Sequence, residues 1–417
     1  MAENLVPEIR QKLEIHSRHY LDVLKTIKAK GNQVRLVGGV VRDAILGYAS
    51  SDIDIATDML PDQVIETFTS LGYKVLPTGI RFGTVLVLYE GESFEITTLR
   101  KDISSDGRRA KVEYTDDFRL DAQRRDFTIN ALSYCPFKEV IYDYFQGLAD
   151  LSGGKVRFIG EPDSRIKEDY LRILRFFRFF GRFGREIDQE SFRSCIKYKD
   201  CLQRLSRERV KAELDLILKL PCYINILALL HNSSILPEIL PVDYFLQENF
   251  ITAERAAAKL NALLTSEFKY ALLFIKTSIS IDVLTALKFS RLEARGISSF
   301  LNLIKYKDNK DDYFLKELWV KSMAQNNDQN KNFALLCIFL TVITGKAEYT
   351  EFPSRLQMLP RPYFPLDGHD MIRLGFNRKE VGSMLKNLKQ QWIRSDFRLS
   401  KAELITIIRS KKDEFNK

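Results

Sequence analysis

Residues 36–58 read LVGGVVRDAILGYASSDIDIATD. An apolar run ends in the pair Gly38-Gly39, Arg42 and Asp43 follow, and Asp52 and Asp54 then stand two residues apart. A strand, a tight Gly-Gly turn and a helix start present backbone N–H groups to an anion, and Arg42 in the first turn can contact the same phosphates. Alternate residues of a strand share a face, so Asp52 and Asp54 point the same way while Ile53 and Ile55 pack behind. Two neighbouring carboxylates raise each other's proton affinity unless a cation lies between them. Hard ions such as Mg²⁺ are held by one or two carboxylates together with substrate phosphates. A lone Asp-x-Asp also suits a solvated strand edge; the glycines and Arg-Asp just upstream favour a metal and triphosphate site. Glu95, in SFEITTLR, is the candidate third carboxylate of a two-metal site, or a solvent-facing strand glutamate.

Around this stretch the strand signals cluster in the first 145 or so residues: QVRLVGGV, SDIDIAT, TVLVLY, SFEITTL and EVIYDYF, with helical patterns at VVRDAILGY and PDQVIETFTSLG. From about Asp163 onward leucine-rich amphipathic helices take over. Strands followed by a long helical run predict an α+β head and an all-helical remainder. The 417 residues, 45% of them hydrophobic, can bury a sizeable core. No apolar run is long enough for a membrane span, and the charged N-terminus lacks a signal peptide's apolar centre, so a cytoplasmic protein is expected. Five cysteines without a CxxC pair argue for reduced thiols rather than disulfides or structural zinc. The four histidines, His16, His19, His231 and His369, form no paired His-Asp arrangement, which speaks against an appended metal phosphohydrolase.

The net charge of +9 suggests a polyanionic partner. Residues 165–219 alone hold fifteen Lys/Arg against nine Asp/Glu. Within them, EDYLRILRFFRFFGRF (168–183) sets Asp169, Arg172, Arg175 and Arg178 at intervals of three among leucines and phenylalanines, as a helix would that shares a face between Asp169 and Arg172. An exposed salt-bridged helix would not carry Leu171, Leu174, Phe176, Phe177, Phe179 and Phe180. A mostly buried helix is expected, whose arginines need anionic partners that a bound nucleotide would supply. Upstream, RRDFTINAL (124–132) places Arg124, Arg125 and Asp126 before a helix-like apolar run; Arg125 can hold a triphosphate, and Asn130 can contact ribose or order the turn.

In this order and spacing, GG-x-x-RD, DxD, RRDFTINAL and EDxxRxLRxxRF resemble the class II tRNA nucleotidyltransferases, the family of CCA-adding enzymes and bacterial poly(A) polymerases. YDYFQGLADL (Asp143, Gly147, Asp150) resembles the family's connecting motif, LSRERVKAEL (Glu208, Arg209, Glu213) its last motif, and LDGHDMIRLGFNRKEVGSMLKNL its tail. Tyr170 stands where relatives often carry proline. The resemblance implies a polymerase-beta-like mixed-sheet head (1–145) followed by an elongated helical neck (146–220), body (221–340) and tail (341–417). It implies that Asp52 and Asp54 bind Mg²⁺ and that Gly39, Arg42 and Arg125 contact the incoming nucleotide; Glu95 stands beside them as the candidate further carboxylate, and Gly38 and Asn130 as candidate nucleotide contacts. Asp169 and Arg172 would read its base, helped by Arg175 and Arg178. A carboxylate accepts from the amino group of cytosine or adenine while a guanidinium donates to the adjacent ring nitrogen; uracil and guanine reverse that pattern. One Asp–Arg pair thus accepts CTP and ATP without a template.

The polar stretch 98–117, with Asp106, Gly107 and Arg108, resembles the flexible loop of full CCA-adding enzymes and speaks against CC-only addition. Expected partners are the 3′ acceptor end of tRNA, CTP and ATP, with no membrane and no obligate protein partner evident. Open alternatives are a bacterial poly(A) polymerase, a CC- or A-adding enzyme, an inactive tRNA-binding protein, and a small-molecule nucleotidyltransferase. The last leaves the helical half and the basic segment unexplained.

Overall fold

The protein is described by a computed structural model over residues 2–48, 53–105, 110–306, 312–323, 329–357 and 363–415. Asp52 and the loop residues Asp106, Gly107 and Arg108 lie outside the described residues. The chain divides into two compact units, Met1–Pro241 and Val242–Lys417. That division is coarser than the expected head, neck, body and tail, which stay a proposal.

The first unit runs α1 (Ala2–His16), α2 (Tyr20–Ala29), β1 (Val34–Val37), α3 (Gly39–Ile45), β2 (Ile53–Thr57), α4 (Pro61–Ser70), β3 (Lys74–Gly79), β4 (Thr84–Tyr89), β5 (Glu92–Thr98), β6 (Arg100–Ser105), β7 (Ala110–Tyr114), α5 (Phe118–Gln123), β8 (Ser133–Cys135), β9 (Val140–Tyr142), α6 (Gly147–Gly153), α7 (Pro162–Glu168), α8 (Leu171–Phe183), α9 (Gln189–Lys197), α10 (Arg207–Leu218), α11 (Tyr223–Asn232) and α12 (Leu236–Ile239). Seven strands form a mixed sheet in the order β3-β4-β5-β2-β1-β8-β9. β2 and β5 are parallel, and the other neighbours are antiparallel. Alternation does the sorting: Ile53, Ile55, Val85, Val87, Phe94 and Ile96 are buried on one face, where Val64 and Phe68 of α4 are also buried. Asp54 and Glu95 are left on the other face. Each such large apolar side chain contributes about 1.5–3 kcal/mol on burial.

The α+β organisation matches the sequence expectation, with local differences. The run after Arg124-Arg125-Asp126 is not a helix: a single 3₁₀ turn (Thr128–Asn130) leads into β8, because Leu132 and Tyr134 are wanted in the sheet core. Stretch 98–117 forms, over its described residues, the hairpin β6–β7, with Arg100 paired to Tyr114 and Asp102 to Val112. β3 escapes the pattern because Pro77 and Gly79 sit in it, tolerable on a sheet edge. Asp169 is not on the helix with Arg172. It is extended (φ −158°, ψ 107°) at the break between α7 and α8, where its Oδ1 accepts the Leu171 N–H at 3.1 Å. A short acidic side chain that captures a nearby backbone N–H competes with helix continuation.

The second unit is helical throughout its described residues, from Gln247–Lys259 to Lys401–Phe415. One of its cores joins Leu366, Met371, Leu388, Trp392, Ile393, Leu404 and Ile408. Asp367 and Asp370 form a capping box at the start of Gly368–Arg373, within the segment that resembles the family's tail. Among the described residues no helix is long and apolar enough to cross a membrane. The five cysteines are free, Cys135, Cys195 and Cys337 being buried.

Candidate active site

A cavity of about 590 Å³ opens in the first unit, lined by Gly38, Gly39, Arg42 and Asp54 from the head and by Arg125, Asp126 and Asn130 from the loop before β8. Its helical side is Asp169, Leu171, Arg172, Arg175, Arg178, Phe179 and Arg209. Six arginines against three aspartates make it a receptacle for a multiply charged anion.

Gly38 lies at φ +72°, ψ −126°, and a Cβ there would meet Arg125 Nη1 at 2.7 Å. Only glycine lets the turn take this conformation with that guanidinium beside it. Arg125 is anchored from behind by Asp121, whose Oδ2 accepts from Nη2 at 3.3 Å. Arg42 is buried, its Nε donates to Asp43 Oδ1 at 2.8 Å, and its Nη1 donates to Asn130 Oδ1. Burial lowers its pKa, against the pull of Asp43. Asn130 in turn donates through Nδ2 to Asp126 Oδ1 at 2.8 Å. It therefore orders the cavity wall by joining Arg42 to Asp126.

The arginines of α8 keep company the sequence reading did not foresee. Arg175 donates to Asp126 Oδ2 through Nε at 2.7 Å and lies 3.5 Å from Glu213 Oε1; Arg178 Nε donates to Glu213 Oε2 at 2.7 Å. Arg172 Nη1 donates to Glu168 Oε2 at 2.7 Å and to the Arg165 carbonyl at 2.9 Å. The expectation that a bound nucleotide supplies their anions is thus corrected: the protein brings its own carboxylates, because desolvated guanidinium groups need them. Burial alone would raise the Asp126 pKa, but Arg175 and the Asn130 amide outweigh it and hold the carboxyl at about 2. Arg209 of α10 donates to Asp169 Oδ2 at 2.6 Å, so both oxygens of that carboxylate are positioned and each keeps a further lone pair. α8 is mostly buried, as expected: Leu171, Leu174, Phe176, Phe177 and Phe179 are buried, Phe180, Arg172, Arg175 and Arg178 are half-buried, and Arg182 is exposed.

Asp54 and Glu95 are direct partners in the parallel β2–β5 register and point to the same face. Glu95 is exposed and does not line the cavity; it stands beside Asp54 at its edge. The connecting motif is structural: Asp143 Oδ1 accepts the Gly147 N–H at 2.8 Å, Asp150 Oδ2 accepts from Thr128 Oγ1 at 2.6 Å and from Arg157 Nε at 2.9 Å, and a Cβ on Gly147 would run into the Thr128 carbonyl.

Residues 34–157 match a family model described as the poly A polymerase head domain, and residues 184–243 one described as a probable RNA and SrmB- binding site of polymerase A. The chain is 34% identical over 404 residues to mitochondrial CCA tRNA nucleotidyltransferase 1 of Mus musculus, across 93% of this chain and 89% of that one. The chain belongs to the tRNA nucleotidyltransferase and poly(A) polymerase family.

This nucleotidyltransferase is also 37% identical over 227 residues to the CCA-adding enzyme of Anoxybacillus flavithermus, across 53% of this chain and 56% of that one. In fold it is similar to the Bacillus stearothermophilus CCA-adding enzyme in complex with CTP, with a TM-score of 0.73 at 23% identity over 95% of this chain and 98% of that one. Nucleotidyltransferases of the family generally use a divalent metal. The donor set suits one: Asp54 in the cavity wall and Glu95 opposite it in the β2–β5 register carry carboxylates, which are hard oxygen ligands. No group of three or more His, Cys, Asp or Glu suited to an ion is found among the described residues, which do not include Asp52. Sequence reading assigned no role at the site to Asp126, Phe179, Arg209 or Glu213. Asp126, Arg209 and Glu213 lie inside the quoted motifs, and that is the signal that could have found them.

Proposed function

We propose that this nucleotidyltransferase adds C, C and A in turn to the 3′ end of tRNA from CTP and ATP, without a nucleic-acid template. The observation that carries the reading is the convergence of Asp169 and Arg172 on the cavity that also holds Asp54, Arg42 and Arg125. The base lies against Asp169 and Arg172; Asp169 Oδ accepts from the exocyclic amino group of cytosine or adenine, and Arg172 donates to the neighbouring ring nitrogen. UTP and GTP set a carbonyl oxygen against Asp169 and an N–H against Arg172 in a confined site and are rejected. Arg42 and Arg125 hold the triphosphate. The terminal 3′-hydroxyl of tRNA releases its proton to solvent, its oxygen forms a bond to the α-phosphorus, the bond from that phosphorus to the bridging oxygen breaks, and pyrophosphate leaves. Mg²⁺ held by Asp54, with Asp52 and Glu95, would neutralise charge on the phosphates and the attacking oxygen. A cytoplasmic location belongs to the same proposal, supported by five free cysteines; the name of the murine relative carries a mitochondrial location, and imaging of a tagged chain distinguishes the two.

The test supplies Mg²⁺, all four NTPs and tRNA lacking its last three nucleotides, then sequences the product. Addition of CCA and then arrest is the expected outcome. Long A tails on generic RNA point to a poly(A) polymerase, CC or A alone to a partial enzyme, and tRNA binding without incorporation to a non-catalytic binder.

A further inference from the structure

The far end of α8 reaches back to the head through an aspartate. Arg182, in the last turn of that helix, donates through Nη2 to Asp43 Oδ2 at 3.0 Å. Asp43 Oδ1 accepts from Arg42 Nε at 2.8 Å, and Arg42 Nη2 lies 2.8 Å from the same oxygen. One buried carboxylate thus serves two guanidinium groups, its neighbour in sequence and one 139 positions away. Arg42 is buried with it, whereas Arg182 keeps one side open to solvent.

A guanidinium carries five N–H donors. Asp43 takes two from Arg42 and Asn130 Oδ1 a third, which leaves one N–H on each Nη. Nη2 stands beside the glycine turn, 3.6 Å from where a Cβ on Gly39 would lie, and Arg42 lines the cavity. The rings of Phe179 and Phe183 pack against it, their centroids 5.2 and 4.6 Å from Cζ, and Phe183 also carries the Arg182 guanidinium at 4.9 Å. Charge decides what Arg182 adds. Arg42 and Asp43 alone form a neutral pair, which offers a polyphosphate hydrogen bonds but no net attraction. With Arg182 the triad holds one surplus positive charge around a buried carboxylate, and a desolvated charge without a counter-ion draws an anion. Burial lowers the Arg42 pKa, Asp43 raises it, and Arg182 lowers it again by repulsion that a phosphate would relieve.

We propose that Arg182 is a positioning residue for the nucleotide's triphosphate: by sharing Asp43 it keeps Arg42 aimed and its positive charge uncompensated until phosphate binds. This rests on the nucleotidyl-transfer reading above and extends it. One helix, α8, then governs both ends of the nucleotide, the base through Arg172 near its start and the phosphates through Arg182 near its finish.

Kinetics and a probe without a base test it. Arg182→Ala is expected to raise KM for CTP and for ATP alike by about tenfold, the lower end of what one hydrogen bond to a charged group contributes. KM for tRNA and the preference for CTP over UTP stay as they are, and Arg182→Lys restores most of the loss. The Ki of inorganic tripolyphosphate against CTP is expected to rise by the same factor. Placed in an Asp43→Asn enzyme, Arg182→Ala is expected to change that Ki by less than about twofold, because the intermediary is gone. Equal rises in KM for tRNA and CTP, with a lowered melting temperature, make the pair a structural latch and overturn the proposal. A falling preference for CTP over UTP, which sets Arg182 among the base readers, overturns it too, as does an unchanged tripolyphosphate Ki. Should Arg182→Ala not fold, Arg182→Gln, which keeps the side-chain stem, carries the same expectations. Should the wild-type chain transfer no nucleotide, the rise in melting temperature with tripolyphosphate replaces Ki. Its loss in Arg182→Ala upholds the role although transfer falls, and its retention overturns the role.

Discussion

At the scale of single residues, charge placement carries the chemistry. Asp54→Ala removes a carboxylate of the proposed metal site, and transfer is expected to fall at least about a thousandfold while filter binding of tRNA persists; loss of both would make Asp54 structural. Arg209→Ala frees one oxygen of Asp169, and the preference for CTP over UTP is expected to fall about tenfold, read from paired kcat/KM values, with little change in melting temperature. Asp126 sets an acid limit. Its native carboxyl is depressed to about 2, so the stability it contributes is present above the ordinary carboxylate range and is lost as pH falls from about 4 through 2. Thermal melts across that range are expected to show an acid slope on the order of 2 kcal/mol in total, flattened in Asp126→Asn. The residue types were legible in the sequence, but their partners were not. Arg175 and Asp126 are 49 positions apart, and Arg178 and Glu213 are 35.

At the scale of elements, the strands were readable wherever alternation was clean, as in TVLVLY and SFEITTL, and unreadable where a proline lay in the strand, as in β3, or a turn led straight into it, as in β8. The helix of arginines and phenylalanines was legible as largely buried, yet its start was not: Asp169 leaves the helix because its own carboxylate takes the Leu171 N–H. Glu213 on α10 is the shared anion of Arg175 and Arg178 on α8, and Glu213→Gln is expected to cost about 3 kcal/mol in urea unfolding, since it takes the carboxylate from Arg178 while Arg175 keeps Asp126. Gly147 at the start of α6 touches the Thr128 carbonyl, and Gly147→Ala is expected to destabilise by about 3 kcal/mol, shifting Asn130 through the 3₁₀ turn that precedes β8.

At the scale of the whole molecule, an excess of cations meets a polyanion. With net charge +9, KM for tRNA is expected to rise at least tenfold between about 50 and 200 mM salt, while KM for CTP, set by fewer and more enclosed contacts, moves far less. Steady-state kinetics at both salts checks this; parallel shifts in the two constants would mean that tRNA is not held through its phosphates. The α+β head and helical remainder were both legible from the change of period along the chain. The unit boundary at Pro241 was not, because amphipathic helices on either side of it look alike in sequence.

The sequence by itself determined the ingredients: a glycine turn, an Asp-x-Asp strand, arginines before β8 and along α8, and the order that marks the family. These follow from local periodicity and residue chemistry, which act over a few positions. Only the tertiary structure decided that Glu95 stands opposite Asp54, that Arg209 aims Asp169, and that Asp126 and Glu213 neutralise the α8 arginines. Each depends on strand register or helix packing between distant segments, where desolvation makes every charge find a partner that no local pattern names.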